Sequence, residues 1–287
     1  MASTDGLLLV DKPAGITSHD VVAIARRALG LRRIGHAGTL DPFATGLLVL
    51  LTGRATRLLP YLDDEPKEYE ATVRFGSATD TDDRTGAPLA SAPLPSESAV
   101  RAALPALTGA IDQLPPAYSA KQVAGERAYD AARRGAPLVL APARVTVHAW
   151  ALRAWRAPDL EVTITCSGGT YIRALARDLG RAAGSAAHLA ALRRVRAGVF
   201  RVDRAISLEA LQRGGVALRA PREAVESLPA AALDEARLAR VVHGMAVHAE
   251  LPGDAARAAL TDAAGALVAV AEREGDRWRP RVVMRDA

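Results

Sequence analysis

Arg33-Ile34-Gly35-His36-Ala37-Gly38-Thr39-Leu40-Asp41-Pro42-Phe43-Ala44-Thr45-Gly46 places a single carboxylate on a loop of glycine, threonine and proline between apolar runs. Pro42 disfavours helical geometry at Asp41 and pushes it toward extended backbone, while Gly38 and Gly46 permit close approach of another segment. Such a loop presents its acid rather than burying it. Alone, an Asp-Pro pair is ordinary turn chemistry leading into a buried strand over Leu47–Leu51. The significance of Asp41 therefore depends on what surrounds the loop.

Outward from this loop, strand and helix signals alternate irregularly. Gly6–Val10 reads as a buried strand ending at Asp11-Lys12-Pro13. Ser18 is placed to cap a helix with the apolar face Val21, Ile24, Ala25, Ala28 and Leu29, and Gly30 ends it. Over Lys67–Phe75, Tyr69, Ala71, Val73 and Phe75 share one face and Glu68, Glu70, Thr72 and Arg74 the other, the period of a half-buried strand with Tyr69 inward. Leu160–Cys166 alternates likewise. Ser167-Gly168-Gly169-Thr170 then turns into a helix with Ile172, Leu175, Ala176 and Leu179 on its apolar face and Tyr171 and Arg173 on its first turn. Val145–Leu152 and Val199–Val202 add strand candidates. The sum predicts a mixed α/β (α+β) fold with a large, antiparallel-rich sheet, without regular βαβ alternation.

Two segments differ from the rest. Within Ser77–Ser96, the run Thr79-Asp80-Thr81-Asp82-Asp83-Arg84-Thr85-Gly86 imitates a calcium loop, but its glycine comes one place late and the terminal Glu is missing. A polar, hydrogen-bonded turn near the site is the better reading. After a Pro- and Ala-rich passage around Pro221–Ala232, short strand-like runs at Ala258–Thr261, Leu267–Ala271 and Arg281–Met284 predict a small β-domain. The boundaries expected are a first domain over 5–225 and a second over 226–287.

With 287 residues, of which 49% are hydrophobic, the chain can furnish a full-sized core. It has no apolar run of roughly 18 residues, and Met1-Ala2-Ser3-Thr4-Asp5 lacks the basic-then-apolar order of a signal peptide, so a cytoplasmic protein without membrane partners is expected. The single cysteine, Cys166, excludes an internal disulfide framework and reads as a buried strand residue. The six histidines lack metal-ligand spacing, so no metal is expected. Net charge is +5, nearly all of the positive charge being arginine, with Lys12, Lys67 and Lys121 the only lysines. Arginine is the better phosphate clamp, and it recurs at 173, 177, 181, 193, 194, 196, 201 and 204, where the local acids are Asp178 and Asp203. Such a run is either a solvated basic face or a nucleic-acid surface.

The opening loop, close to G-H-x-G-T-L-D-P-x-A-T-G, resembles the catalytic loop of the TruB family of tRNA pseudouridine synthases. The resemblance continues in order along the chain: Gly6–Pro13 with Thr17-Ser18, Lys67-Glu68-Tyr69-Glu70-Ala71, a T-D-T-x-D-x-x-G turn at Thr79–Gly86, and Pro115-Pro116-Ala117-Tyr118-Ser119-Ala120. Gly169-Thr170-Tyr171-Ile172-Arg173 with Asp178-Leu179-Gly180, then Ala187-His188-Leu189 and Leu192-Arg193-Arg194, complete it. The family usually reads Y-S-A-x-K-x-x-G, whereas here Lys121 comes one place early and Gln122 takes the lysine position. That departure bears on one contact of the loop 121–137, which resembles an RNA-gripping insertion. The end of the chain, Ala264–Ala271 followed by Trp278-Arg279-Pro280, weakly resembles the PUA-type RNA-binding module of such proteins.

The resemblance implies an RNA isomerase that acts on the T-loop uridine of tRNA, position 55, without metal or organic cofactor and without an obligate protein partner. The chemistry breaks a glycosidic C–N bond, turns the freed uracil and rejoins it through C5, with no redox change. It needs an ionised carboxylate against sugar or base, and Asp41 is that residue. Attack on the base and a glycal-like route through the ribose are both open. A cationic partner favours the ionised form, and Arg173 matches the family's arginine in this role. By resemblance Tyr69 stacks on the flipped uracil and helps remove the C5 proton, Tyr171 lines the pocket, Leu192 closes it, and His36 fills the space left by flipped nucleotides. Lys12, Arg193 and Arg194 are weaker candidates for RNA-backbone contact. Rival readings are a non-catalytic RNA-binding protein on the same scaffold and a guide-RNA-dependent synthase. An Asp-dependent hydrolase lacks the paired carboxylate that glycosidases use.

Overall fold

A computed structural model describes residues 4–119, 121–123, 126–136, 138–251 and 254–285. Strands β1 (Gly6–Lys12) and β3 (Thr45–Thr52) are continuous apolar runs because both of their faces are covered. Leu7, Leu9, Leu47, Val49 and Leu51 pack on one side, while Leu8, Val10, Leu48 and Leu50 pack on the other against helix α1 (Ser18–Leu29). β2 (Ile34–Ala37) pairs antiparallel with β3, and the loop between them carries Asp41. β4 (Lys67–Phe75) instead alternates buried Tyr69, Ala71, Val73 and Phe75 with exposed Glu70 and Arg74, since only one of its faces is covered.

These strands belong to a ten-stranded sheet. Across its middle, β1, β3, the strand Ala187–Ala197, β4, the strand Asp159–Cys166 and the strand Ala143–Arg156 lie side by side. Two pairings are parallel, β1 with Ile206–Ser207 and β3 with Ala187–Ala197, and the other pairings are antiparallel. The helix Ile172–Ala182 lays Ile172, Leu175, Ala176 and Leu179 on the Tyr69 face of this sheet, which closes the main core. The mixed, antiparallel-rich architecture agrees with the sequence pattern.

Local details depart from the expectations. Thr17, not Ser18, caps α1: its hydroxyl accepts from Asp20 N, and the Asp20 side chain returns to the Thr17 backbone in a capping box. Ser18 is turned inward, exchanging hydrogen bonds with the Leu40 backbone. The strand expected over Val199–Val202 shrinks to a hairpin at Phe200–Arg201, and Val202–Arg204 is a 3-10 turn. The segment expected to grip RNA holds a two-residue hairpin, Gln122–Val123 with Glu126–Arg127, and the helix Ala128–Arg133. Ala120, Ala124, Gly125, Pro137 and the Gln122 side chain lie outside the described residues.

The end of the chain forms a separate four-stranded sheet in the order Ala230–Ala232, Arg257–Thr261, Leu267–Glu274, Arg277–Val283. Its last strand starts earlier than the hydropathy pattern indicates. Pro280 is tolerated there because the strand is an edge and a register shift lies beside it. This sheet shares a buried cluster with the large one, Val270, Val282 and Met284 packing with Leu7, Leu47 and Leu51. Arg257 lies over the Tyr61 ring at 5.1 Å across the same junction. Among the described residues, no helix is long and apolar enough to cross a membrane.

Candidate active site

The Asp41 loop is pinned from three sides. Ser18 holds Leu40, Gly15 N donates to Pro42 O at 2.7 Å, and Ala44 N donates to Asp41 O at 3.1 Å, which closes the turn on itself. Lys12 Nζ is wholly buried and donates to Pro13 O, Ile16 O and Pro42 O, so it ties the Lys12–Ile16 turn to the loop. Burial pulls the Lys12 ammonium down to about 8, opposed by Asp41 and Asp20. Gly46 carries φ 102° where the loop enters β3, and a Cβ there would stand 2.3 Å from the Arg194 carbonyl oxygen, so the position requires glycine.

Arg173 meets Asp41 from the far side of the fold. Its Nε donates to Asp41 Oδ2 at 2.9 Å and its Nη2 to Oδ1 at 3.0 Å, a bidentate charge-assisted pair. Two further donors are committed: Nη1 to Thr81 O and Nη2 to Tyr118 O, each at 2.8 Å. Arg173 is 4% exposed, while the Asp41 side chain keeps 34% of its surface open. Thus the arginine is structural bedrock and the carboxylate faces outward. Behind them Asp83, 3.7 Å from Arg173 Nε, is itself satisfied by Thr81, Thr85 N and the Thr85 hydroxyl. The acidic turn is therefore the hydrogen-bonded brace expected of it.

The helix that carries Arg173 is fixed at its N-cap residue, Tyr171, by an unexpected group. Gln113, buried, accepts from Tyr171 N at 2.8 Å through Oε1 and donates to Tyr171 O at 3.1 Å through Nε2. A lone Gln before Leu-Pro-Pro gave no sequence signal. Gln113→Ala leaves Tyr171 N unpaired, at about 1–3 kcal/mol, and Tyr171 O with Leu175 N as its remaining partner. It should lower the melting temperature by several degrees and reduce turnover more than substrate affinity, checked by calorimetry with steady-state kinetics.

Tyr69 is buried on the face that receives the helix, and burial pushes its hydroxyl above the usual phenol range, with nearby Asp41 adding to the effect and Arg194 opposing it. Tyr171 is half-buried and raised for the same first reason. Both remain neutral aromatic rings at neutral pH. Leu192 pairs across strands with Ala71 and joins the cluster around Tyr69, Leu40 and Phe43. His36 sits on β2 with its ring edge-on to His19 at 5.4 Å. Its Nδ1 is buried without a partner, and burial, then His19, then Arg194 hold the imidazole below its ordinary range. The structure thus gathers Asp41, Arg173, Tyr69, Tyr171 and Leu192, with His36 joined to them through Arg194. A cleft of about 500 Å³ runs from Phe43 and Leu192, beside the Asp41 loop, across Glu70, Thr72, Arg153 and Arg193, and neither Asp41 nor Arg173 lines it.

The arginine run needs correction. Arg177 pairs with Asp82 and Asp178, Arg193 bidentately with Asp11, and Arg194 is 1% exposed and bound to backbone carbonyls. These residues are not an open basic face, and Lys12 and Arg194 do not reach solvent to touch RNA. Asp178 is adjacent in sequence to Arg177, whereas Asp82, Asp11 and the carbonyls that hold Arg194 come from distant segments.

Comparison with known proteins agrees with this geometry. Residues 26–172 match the family model described as TruB family pseudouridylate synthase (N terminal domain), and residues 173–245 match tRNA pseudouridylate synthase B C-terminal domain. The boundary between the two matches falls inside the helix Ile172–Ala182, so both parts build the site. The chain is 44% identical to tRNA pseudouridine synthase B of Thermobifida fusca (strain YX), over 97% of this chain and 98% of that one. It is 46% identical to the protein of that name from Gloeobacter violaceus (strain ATCC 29082 / PCC 7421), over 96% and 93%. Among solved structures, the archaeal box H/ACA sRNP Nop10-Cbf5 complex contains a chain that superposes with a TM-score of 0.75 at 25% identity, covering 99% of this chain and 87% of that one.

Proposed function

The chain belongs to the TruB family of pseudouridylate synthases, and from that premise we propose that it is a tRNA pseudouridine synthase whose target is the T-loop uridine at position 55. The observation that carries the reading is the bidentate Asp41–Arg173 pair, which presents one ordered carboxylate beside a buried tyrosine. Asp41 is the nucleophile and Arg173 fixes its direction. The N1–C1′ bond breaks, the uracil turns against the Tyr69 ring, C5 joins C1′, the C5 hydrogen leaves and N1 gains a proton. Tyr69 takes the C5 proton, Tyr171 and Leu192 line and close the base pocket, and His36 occupies the gap that the flipped nucleotide leaves. A neutral, half-buried imidazole suits that place, because it enters a base stack without carrying a charge with it.

The small sheet from Ala230 onward is read as a PUA-like RNA-binding domain, with the division from the catalytic domain near residues 225–226. The substrate places the enzyme in the cytoplasm. The guide-RNA-dependent and non-catalytic readings are not favoured, since relatives spanning nearly the whole chain carry the name tRNA pseudouridine synthase B and the full set of site residues is intact.

The test is tritium release from an unmodified tRNA transcript labelled at uridine C5, because the new bond at C5 must expel that hydrogen. Release approaching one equivalent per tRNA, lost when uridine 55 alone is replaced by cytidine, is the expected result. Release that survives the replacement rejects the T-loop target, and absence of release from wild type rejects the enzyme reading. Affinity should fall with added salt by a log–log slope of about 0.7–0.9 for each phosphate neutralised, checked by filter binding over a range of salt.

A further inference from the structure

Arg173, Arg177 and Arg193 each have a carboxylate partner, but Arg194 does not: no carboxylate of the described residues lies within 4.0 Å of it. A guanidinium that is 1% exposed and lacks a counter-ion is costly to keep. Its Nε donates to Leu47 O at 2.8 Å and its Nη2 to Gly38 O at 3.0 Å. Those carbonyls stand at the two ends of the loop that carries Asp41, so the side chain is a clamp across the loop. Two carbonyls explain its orientation but not its charge, because a neutral amide donor would serve them as well.

The positive charge faces Tyr69. Arg194 and Tyr69 are direct partners across neighbouring antiparallel strands, an arrangement that sets Cβ atoms about 4.5–5.5 Å apart on one face of the sheet. The groups around the Tyr69 hydroxyl are Arg194 from the strand Ala187–Ala197, Asp41 from the loop, itself bound by Arg173, and Cys166 from the strand Asp159–Cys166. Lys67, two residues back on β4, is paired to Asp64 at 3.2 Å. Of these, Asp41 and Cys166 oppose charge on the phenol oxygen, as burial does, and Arg194 is the group that favours it. Arg194 therefore stands where negative charge must develop if Tyr69 is to act as a base.

We propose that Arg194 is a positioning residue for the proton-transfer step, its clamped guanidinium stabilising the Tyr69 phenolate that removes the C5 proton. The inference rests on the reading of Tyr69 as that base. In the step, the C5–H bond breaks and its electron pair enters the ring to restore the C5–C6 double bond. The proton passes to the phenolate oxygen and N1 takes a proton from water. The resting phenol has first given its own proton to solvent, so the transfer from C5 regenerates the neutral form.

The experiment compares wild type with Arg194→Lys and Arg194→Met on tRNA transcripts containing uridine or 5-deuterouridine, across pH from about 6 to about 9.5, with near-UV circular dichroism to establish folding. Loss of the guanidinium raises the pH at which Tyr69 ionises. The Met variant should therefore lose on the order of 10–100-fold in turnover near pH 7, recover part of it as pH rises, and show a larger deuterium effect than wild type. Its KM should change by less than about threefold, and the Lys variant, which retains the charge, should fall between the two. A folded Met variant whose pH profile runs parallel to wild type with an unchanged isotope effect overturns the proposal and leaves Arg194 as a loop clamp only. A wild type that makes no pseudouridine overturns this inference and the proposed function together, so the two failures are distinguishable.

Discussion

Asp41→Asn is expected to lower isomerisation by at least about 10⁴-fold, equivalent to about 5.5 kcal/mol of transition-state stabilisation, while tRNA affinity changes by less than about tenfold. Asparagine matches aspartate in volume and leaves the loop's anchors at Ser18, Gly15 and Lys12 untouched, so the RNA-facing surface is preserved. What disappears is the carboxylate charge and half of the bidentate acceptor. Arg173 presents Nε and Nη2 to two carboxylate oxygens, and an amide answers one of them with an oxygen and the other with an N–H. The mismatch leaves a buried donor facing a donor and costs about 1–3 kcal/mol, so a fall of several degrees in melting temperature should accompany the loss of turnover. C5 tritium release, filter binding and calorimetry on one preparation separate the effects. Activity within tenfold of wild type would exclude Asp41 as the nucleophile, and loss of binding together with folding would make it a structural residue.

The sequence disclosed the strands around this site because their burial follows a strict period. β4 alternates since one face is covered, and β1 with β3 is apolar throughout since both are. The site's own members were legible as motif residues. Their partners were less so, because pairing across the fold leaves no local trace. Arg177 looked like part of a basic face until Asp82, from a turn far upstream, was seen beside it. Lys12 and Arg194 looked like surface cations, yet each is consumed by backbone carbonyls that no side-chain pattern encodes. Gln113 lay in no recognisable motif. Thr17 was legible in principle, since Thr17-x-x-Asp20 is a capping box, but Ser18 next to it competes for the same role on composition alone. Only the inward pull of the Leu40 backbone decides between them.

Arg173→Lys is expected to reduce turnover by about 10²–10³-fold with little change in KM, and Arg173→Met by more. The guanidinium fork spans four acceptor atoms: both Asp41 oxygens, Thr81 O and Tyr118 O. An ammonium is a point donor on a chain that ends short of that fork, so it keeps the charge beside Asp41 but cannot hold both oxygens and both carbonyls. The carboxylate then swings, and misplacement by about 1 Å is enough to cost on the order of 10²-fold in a reaction that depends on attack geometry. Methionine removes the charge as well. Asp41 and Asp83 would then face the same space without a cation between them, where Arg173 now stands 2.9 Å from one and 3.7 Å from the other. Single-turnover kinetics on saturating tRNA gives the ranking wild type, Lys, Met. A Lys variant equal to wild type would mean that charge alone is required and that the fork geometry contributes nothing. A Met variant equal to Lys would mean the reverse, that orientation matters and the charge does not. Adding Asp83→Asn to the Met variant isolates the repulsive part: if the two acids repel once the arginine is gone, the double variant should be more stable than Arg173→Met alone by calorimetry, because a buried uncompensated charge has been removed.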